Sequence, residues 1–248
     1  MKYEFNYMNK YKILISKKIN RLFESKNLLR LKFLLHKLFK EKDIGNLQLD
    51  FKDKPSRIDI VQMIINSKNY KKYLEIGCFK NELFDNIVCN FKVGVDPVSG
   101  GTIRDTSDNY FEQNKDIKFD CIFIDGLHKY DQVKRDILNS LDHLSQNGII
   151  MLHDCLPSNV YDQAIPRCQY KWNGDVWKAL VEMRTKPNLD VYTCYADEGI
   201  GMIFNRKNRN ILKLNIDNFK KLKFKDYFYN YEKYMNLIQF VNLKEILN

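Results

Sequence analysis

Several features are scarce in this 248-residue chain, and each absence narrows what it can be. No run approaches the ~20 consecutive apolar residues of a membrane span, so none is expected to cross a bilayer. Residues 1–9 carry charge but no apolar core or small-residue cleavage site, so no signal peptide is expected. The six cysteines, Cys78, Cys89, Cys121, Cys155, Cys168 and Cys194, contain no C-x-x-C pair, which speaks against structural zinc or a redox dithiol. Three lie in or beside strand-like runs. They read as buried free thiols in a reducing compartment, with cytoplasm the default. Only ten glycines are present, and none builds the G-x-G-x-x-G pyrophosphate cradle, so a nicotinamide dehydrogenase has little support.

What is present suits a packed protein. Hydrophobic residues make up 44%, enough for the core of one large α/β domain with appendages. The net charge of +10 is unevenly placed: +8 over residues 1–55, −4 over 56–205 and +6 over 206–248. An acidic middle argues against an enzyme whose catalytic face grips nucleic acid. Those limits define a basic helical N-terminal extension (1–55), a ligand-binding domain (56–205) and a basic, aromatic, helical C-terminal extension (206–248). Residues 27–42 read as a basic amphipathic helix. It docks on the domain or a second subunit, or else lies on a membrane surface bearing anionic or lipid-linked substrate. Lysines interleaved with Phe219, Phe224, Tyr227, Phe228, Tyr229, Tyr231 and Tyr234 could stack on bases. Helix packing suits the spacing better, and residues 235–247 read as simply amphipathic.

Pro55 closes the first flank, and Ser56 is placed to cap a helix through Ser67 that buries Ile58, Ile60, Val61, Ile64 and Ile65. Strands are expected at 73–77 and 93–96, a helix at 82–88 between them, and a weak third strand at 102–104. A helix begins near Gly174 and includes 179–184. Two last strands, 191–195 and 201–204, flank an Asp197-Glu198-Gly199 turn.

The organising stretch is 120–154. D-C-I-F-I-D-G-L-H-K-Y and N-G-I-I-M-L-H-D each read as a buried strand ending on acid and imidazole groups: Asp125 with His128, and His153 with Asp154. Between them, 129–145 has helical apolar spacing at Val133, Ile137, Leu138, Leu141 and Leu144. Strand, helix, strand makes a right-handed βαβ unit. In an open parallel sheet, ligands sit beyond the strands' carboxyl ends, so both polar clusters fall at one reactive rim. Glu75-Ile76-Gly77 ends the first strand, and Asp96, 19 residues beyond Gly77, ends the second. That spacing suits a nucleoside cofactor whose ribose meets a carboxylate, and the missing phosphate loop favours one without phosphates.

L-E-I-G, V-G-V-D-P, T-S-D-N-Y-F, F-D-C-I-F-I-D-G-L-H-K-Y, G-I-I-M-L-H-D and W-N-G-D-V-W-K-A, in that order, resemble a class I methyltransferase group often found among glycan-biosynthesis enzymes. The resemblance covers about residues 56–205. It implies S-adenosylmethionine as cofactor and a Rossmann-like, seven-stranded, mostly parallel sheet with helices on both faces and one antiparallel strand near its edge. It places Gly77 under the methionine part of the cofactor and Glu75 near its base. Asp96 would hold the ribose hydroxyls, and Ser107 and Asp108 would lie by the adenine, with helix capping as their rival role. The strand ends carrying Asp125 and Asp154 look like those of metal-dependent macrolide-sugar O-methyltransferases. Carried over, His128 is the general base, and Asp125, which also borders the cofactor, joins Asp154 on a divalent cation. His153 stands where that group has a carboxylate. As a ligand it would shift preference from Mg²⁺ towards Mn²⁺, Fe²⁺ or Zn²⁺; without a metal it would orient Asp154 or the substrate. The implied activity is O-methylation of a sugar or glycan-precursor hydroxyl. N-methylation of an amino sugar and a non-catalytic binding module remain alternatives. Trp177 is expected to pack, and Trp172 is left open between packing and stacking on a sugar.

Overall fold

A computed structural model describes residues 26–247; the leader expectation for residues 1–9 falls outside them. Seven strands form one sheet: β1 (Lys72–Ile76), β2 (Phe91–Val95), β3 (Phe119–Ile124), β4 (Leu144–Leu152), β5 (Asp190–Cys194), β6 (Ile200–Phe204) and β7 (Leu237–Ile238). Their order is β2-β1-β3-β4-β6-β5-β7. All are parallel except β6, which runs antiparallel to both β4 and β5. This is the Rossmann-like arrangement expected of the sequence.

Period-two burial along the central strands divides the core. Ile122 and Ile124 of β3 and Ile150 and Leu152 of β4 face one layer, and Cys121, Phe123, Ile149 and Met151 face the other. The first layer holds the helices α3 (Ser107–Gln113), α4 (Tyr130–Asp142), α5 (Val176–Arg184), α6 (Phe224–Phe228) and α7 (Tyr231–Met235). The second holds α2 (Arg57–Lys68) and α8 (Leu243–Leu247). Each fully buried Ile, Leu or Phe contributes roughly 1.5–3 kcal/mol. Ser56 caps α2 as expected: its hydroxyl accepts from the Asp59 amide, while the Asp59 carboxylate accepts from the Ser56 amide. The basic helix α1 (Lys26–Phe39) lies against the first layer through Phe33 and buries Leu29 and His36.

The structure corrects four sequence expectations. Residues 82–88 form only a 3₁₀ turn at Phe84–Asn86, because Lys92 Nζ takes the Phe84 and Ile87 carbonyls at 2.6 and 3.0 Å in place of a continuing helix. The weak third strand reduces to one bridge, Val95 to Ile103, after Gly100 and Gly101 turn the chain at positive φ. The helix after His128 stops at Asp142, and Leu144 already begins β4; Leu138 lies off the apolar stripe and is half exposed. Residues 235–247 are not one helix: Asn236 adopts a left-handed conformation, and Leu237–Ile238 then pairs with Thr193 and Cys194. The C-terminal extension therefore supplies the seventh strand of the sheet.

Candidate active site

The carboxyl ends of β1 to β4 open onto a cavity of about 630 Å³. It is lined by every residue singled out in the sequence for cofactor, metal or base work: Glu75, Gly77, Asp96, Ser107, Asp108, Asp125, His128, His153 and Asp154. The size falls within the ~300–1,000 Å³ of small-molecule sites.

On the β1–β2 side, Gly77 has φ +89°, and a side chain there would meet the Asp125 carbonyl oxygen at 2.3 Å. Close crossing of the β1 and β3 turns therefore demands glycine. Asp96 is buried and accepts from the amides of Phe79 (2.9 Å), Val98 (2.7 Å) and Ser99 (2.8 Å). A carboxylate offers about four lone-pair positions, so one remains for a ligand hydroxyl. Burial pushes Glu75 up to about 7, although the Tyr73 hydroxyl donates to it at 2.6 Å. Ser107 and Asp108 do not cap α3; Thr106 does, accepting from the Asn109 amide. Ser107 donates to Asp136 at 2.6 Å, and Asp108 pairs with Arg135 at 3.3 Å. Asp136 and Gln132, which the sequence reading missed, also line the cavity. Burial raises Asp136 to about 6.

The β3–β4 side carries a ring of alternating carboxylates and imidazoles. His128 Nε2 lies 3.3 Å from Asp125 Oδ1, and its Nδ1 lies 3.1 Å from Asp154 Oδ2. His153 Nδ1 approaches the same two oxygens at 3.5 and 3.6 Å, while its Nε2 meets Asp197 Oδ1 at 3.1 Å. The Trp172 ring stacks on His128 with centroids 5.3 Å apart, and its indole N–H donates to the Ala164 carbonyl at 2.7 Å. Asn173 donates to Asp154 at 2.7 Å and to Glu198 at 2.8 Å. Gly174 sits so close to His128 that a side chain would reach its carbonyl oxygen at 1.9 Å. Trp177 is fully buried, donates to Gln163 and packs on Tyr227. Asp197 and Glu198, read from sequence only as a turn, reach this rim because β5 ends and antiparallel β6 begins there.

Electrostatics follow from the ring. Burial alone would raise Asp125, but the imidazoles of His153 and His128 outweigh it and hold the carboxyl far below its usual range. Burial alone would lower His128 and His153; the Asp125 and Asp154 carboxylates instead raise both, His153 strongly. Asp197 contacts the Arg57 guanidinium at 3.7 Å. With both imidazoles protonated, the three carboxylates Asp125, Asp154 and Asp197 are balanced by His128, His153 and Arg57.

A stability window follows. His153 stabilises fully below its ordinary value near 6.5, and that contribution is lost as pH rises through its raised value. Asp125 stabilises above its ordinary 3.8 and loses that contribution as pH falls through its lowered value. Melting temperature should therefore be highest between about pH 4 and 6.5 and should fall on the alkaline side. His153→Gln should flatten the alkaline limb. An unchanged limb would show that other groups set it.

Among the described residues, Asp125, His128 and Asp154 offer ligand atoms within 4.8 Å of one another, a set that could hold a cation. His153 turns its Nε2 to Asp197 and its Nδ1 to the same Asp125 and Asp154 oxygens. Two carboxylates and an imidazole fit Mn²⁺, Fe²⁺ or Zn²⁺ better than Mg²⁺, and the imidazole must first lose its proton.

Residues 82–155 match a methyltransferase-domain family model. The matched segment includes Asp96, Ser107, Asp108, Asp125, His128, His153 and Asp154. No curated protein matches the chain. Solved structures similar to it include an O-methyltransferase from Bacillus cereus in complex with S-adenosylhomocysteine (12% identity, 70% of this chain and 96% of that one, TM-score 0.44). Another is an S-adenosylhomocysteine-bound methyltransferase from Podospora anserina (18%, 75% and 97%, TM-score 0.45). A third is the MycE methyltransferase of the mycinamycin biosynthetic pathway, in complex with Mg, S-adenosylhomocysteine and mycinamycin VI (12%, 64% and 51%, TM-score 0.41).

Proposed function

We propose that this chain is an S-adenosylmethionine-dependent O-methyltransferase acting on a sugar or glycan-precursor hydroxyl, with His128 as general base. One observation carries the reading: a single cavity joins the Glu75–Gly77–Asp96 rim to the Asp125–His128–Asp154 cluster. The first rim suits the cofactor. Its Asp96 retains acceptor capacity for a ribose hydroxyl, and no glycine-rich phosphate cradle is present.

S-adenosylmethionine, when bound, supplies a methyl carbon whose bond to sulfur breaks, with the pair going to sulfur, as the acceptor oxygen bonds to it. The protein contributes position and proton transfer. His128 Nδ1 is held by Asp154 Oδ2 and the Trp172 carbonyl, leaving Nε2, beside Asp125, to take the hydroxyl proton. Trp172 fixes the ring plane. Asp125 and Asp154, joined by His153 through its Nδ1 beside them, would hold a divalent cation, which would supply a lowered pKa for the acceptor oxygen and leave His128 as the base.

The test is calorimetric titration of metal-stripped protein with S-adenosylhomocysteine, with and without Mn²⁺ or Mg²⁺. Micromolar binding is expected in metal-stripped protein. Absence of binding under all conditions would overturn the methyltransferase reading and favour a non-catalytic module.

A further inference from the structure

Helix α1 turns two apolar faces in opposite directions. Leu29, Phe33 and His36 face inward, with the Phe33 ring 4.3 Å and the His36 ring 5.6 Å from that of Tyr161. Leu31, Leu34, Leu35, Leu38 and Phe39 face outward and are exposed, Leu38 by 71% and Phe39 by 75%. Their spacing of three and four residues makes one continuous stripe. Lys26, Arg30 and Lys37 border one side of it at helical angles, and Lys32 the other. The helix contains no acidic residue.

We infer that this stripe docks on the surface of an anionic lipid bilayer. An apolar stripe edged by cations is the form of a helix lying in the membrane interface: leucines enter the headgroup boundary while Lys and Arg reach anionic headgroups. Charge decides against a second copy, which would bring two acid-free basic helices together. None of the described helices is long and apolar enough to cross the bilayer, so contact is peripheral.

The same helix reaches the segment that supports Asp154. Tyr161, under Phe33, adjoins Asp162, whose carbonyl accepts from the amides of Asn173 and Gly174 at 2.9 and 3.1 Å. Asn173 in turn holds Asp154. A bilayer bound at α1 thus lies beside the segment whose Asn173 holds Asp154 at the cavity wall.

Co-sedimentation of the full chain with vesicles tests this, using phosphatidylcholine alone or mixed with phosphatidylglycerol. Binding to the mixed vesicles that weakens with salt is expected. It should fall about tenfold or more in Leu34→Gln/Leu38→Gln and in Arg30→Gln/Lys37→Gln. These side chains are outside the core, so melting temperature should hold in both variants. Three results would overturn the inference: no sedimentation with either vesicle, equal binding to both, or variants that bind like the parent. A parent dimer by light scattering that Leu34→Gln/Leu38→Gln makes monomeric, without vesicle binding, would assign the stripe to a second copy instead.

Discussion

Exchange of His128 for alanine should lower turnover by ~10²–10⁴-fold, the usual contribution of a general base, while S-adenosylhomocysteine affinity changes little. A sugar hydroxyl is a weak nucleophile until its proton leaves, and His128 is the imidazole whose Nε2 borders the cavity beside Asp125. The pH profile sharpens the expectation. Asp125 and Asp154 raise His128 above the ordinary histidine value, and a base must be unprotonated, so activity should climb above pH ~6.5. Mutating a neighbouring acid, as in Asp154→Asn, should move that limb towards lower pH. Removing His128 also leaves two carboxylates facing each other, so melting curves must accompany the kinetics, and His128→Asn keeps a polar group there. Loss of turnover in both variants with cofactor affinity retained supports the base. Normal turnover in either removes His128 from the chemistry.

The second large effect is structural. Gly77→Ala should cost ~2–5 kcal/mol, combining a left-handed-region penalty with overpacking. A new methyl carbon would lie 2.3 Å from the Asp125 carbonyl oxygen and 2.6 Å from the Gly126 Cα. Relief requires the β1 turn to separate from the β3 turn, which displaces Asp125. Stability and cofactor binding should therefore fall together. Gly126→Ala is the control: its nearest neighbour would be the Ile76 Cγ2 at 3.5 Å, ordinary contact, and its melting curve should stay near the parent's. A Gly77→Ala protein that melts with the parent would show that these turns have slack.

Both effects fall where sequence and structure meet most closely. The strands carrying Glu75, Asp96, Asp125 and Asp154 were legible because buried parallel strands are short apolar runs, and their last residues fall at one rim by topology. Ser56 announced α2 through its capping chemistry. The two-residue strand β7 was not legible, since Leu237-Ile238 sits in a segment whose apolar spacing also suits a helix and only the conformation of Asn236 separates the two. Nor could spacing show that Lys92 would end the turn after Phe84. Within the site, the sequence indicated which imidazoles reach the rim but not how they point. His153 turns to Asp197, 44 residues away, because β6 reverses direction and returns its hairpin to the rim. Asn173 had no sequence signal beyond its place in W-N-G-D. Glu198 could have been suspected as an acid in a tight turn after a strand at the reactive edge.

Strand β7 also bears on synthesis. Until residues 237–238 leave the ribosome, β5 presents the unpaired backbone of Thr193 and Cys194 at the margin of an otherwise assembled sheet. Until that segment docks, the nascent chain has a β-edge open to neighbouring chains, and loss of residues 237–238 would leave it open. Leu237 and Ile238 act as a selvedge, binding off a margin that would otherwise fray.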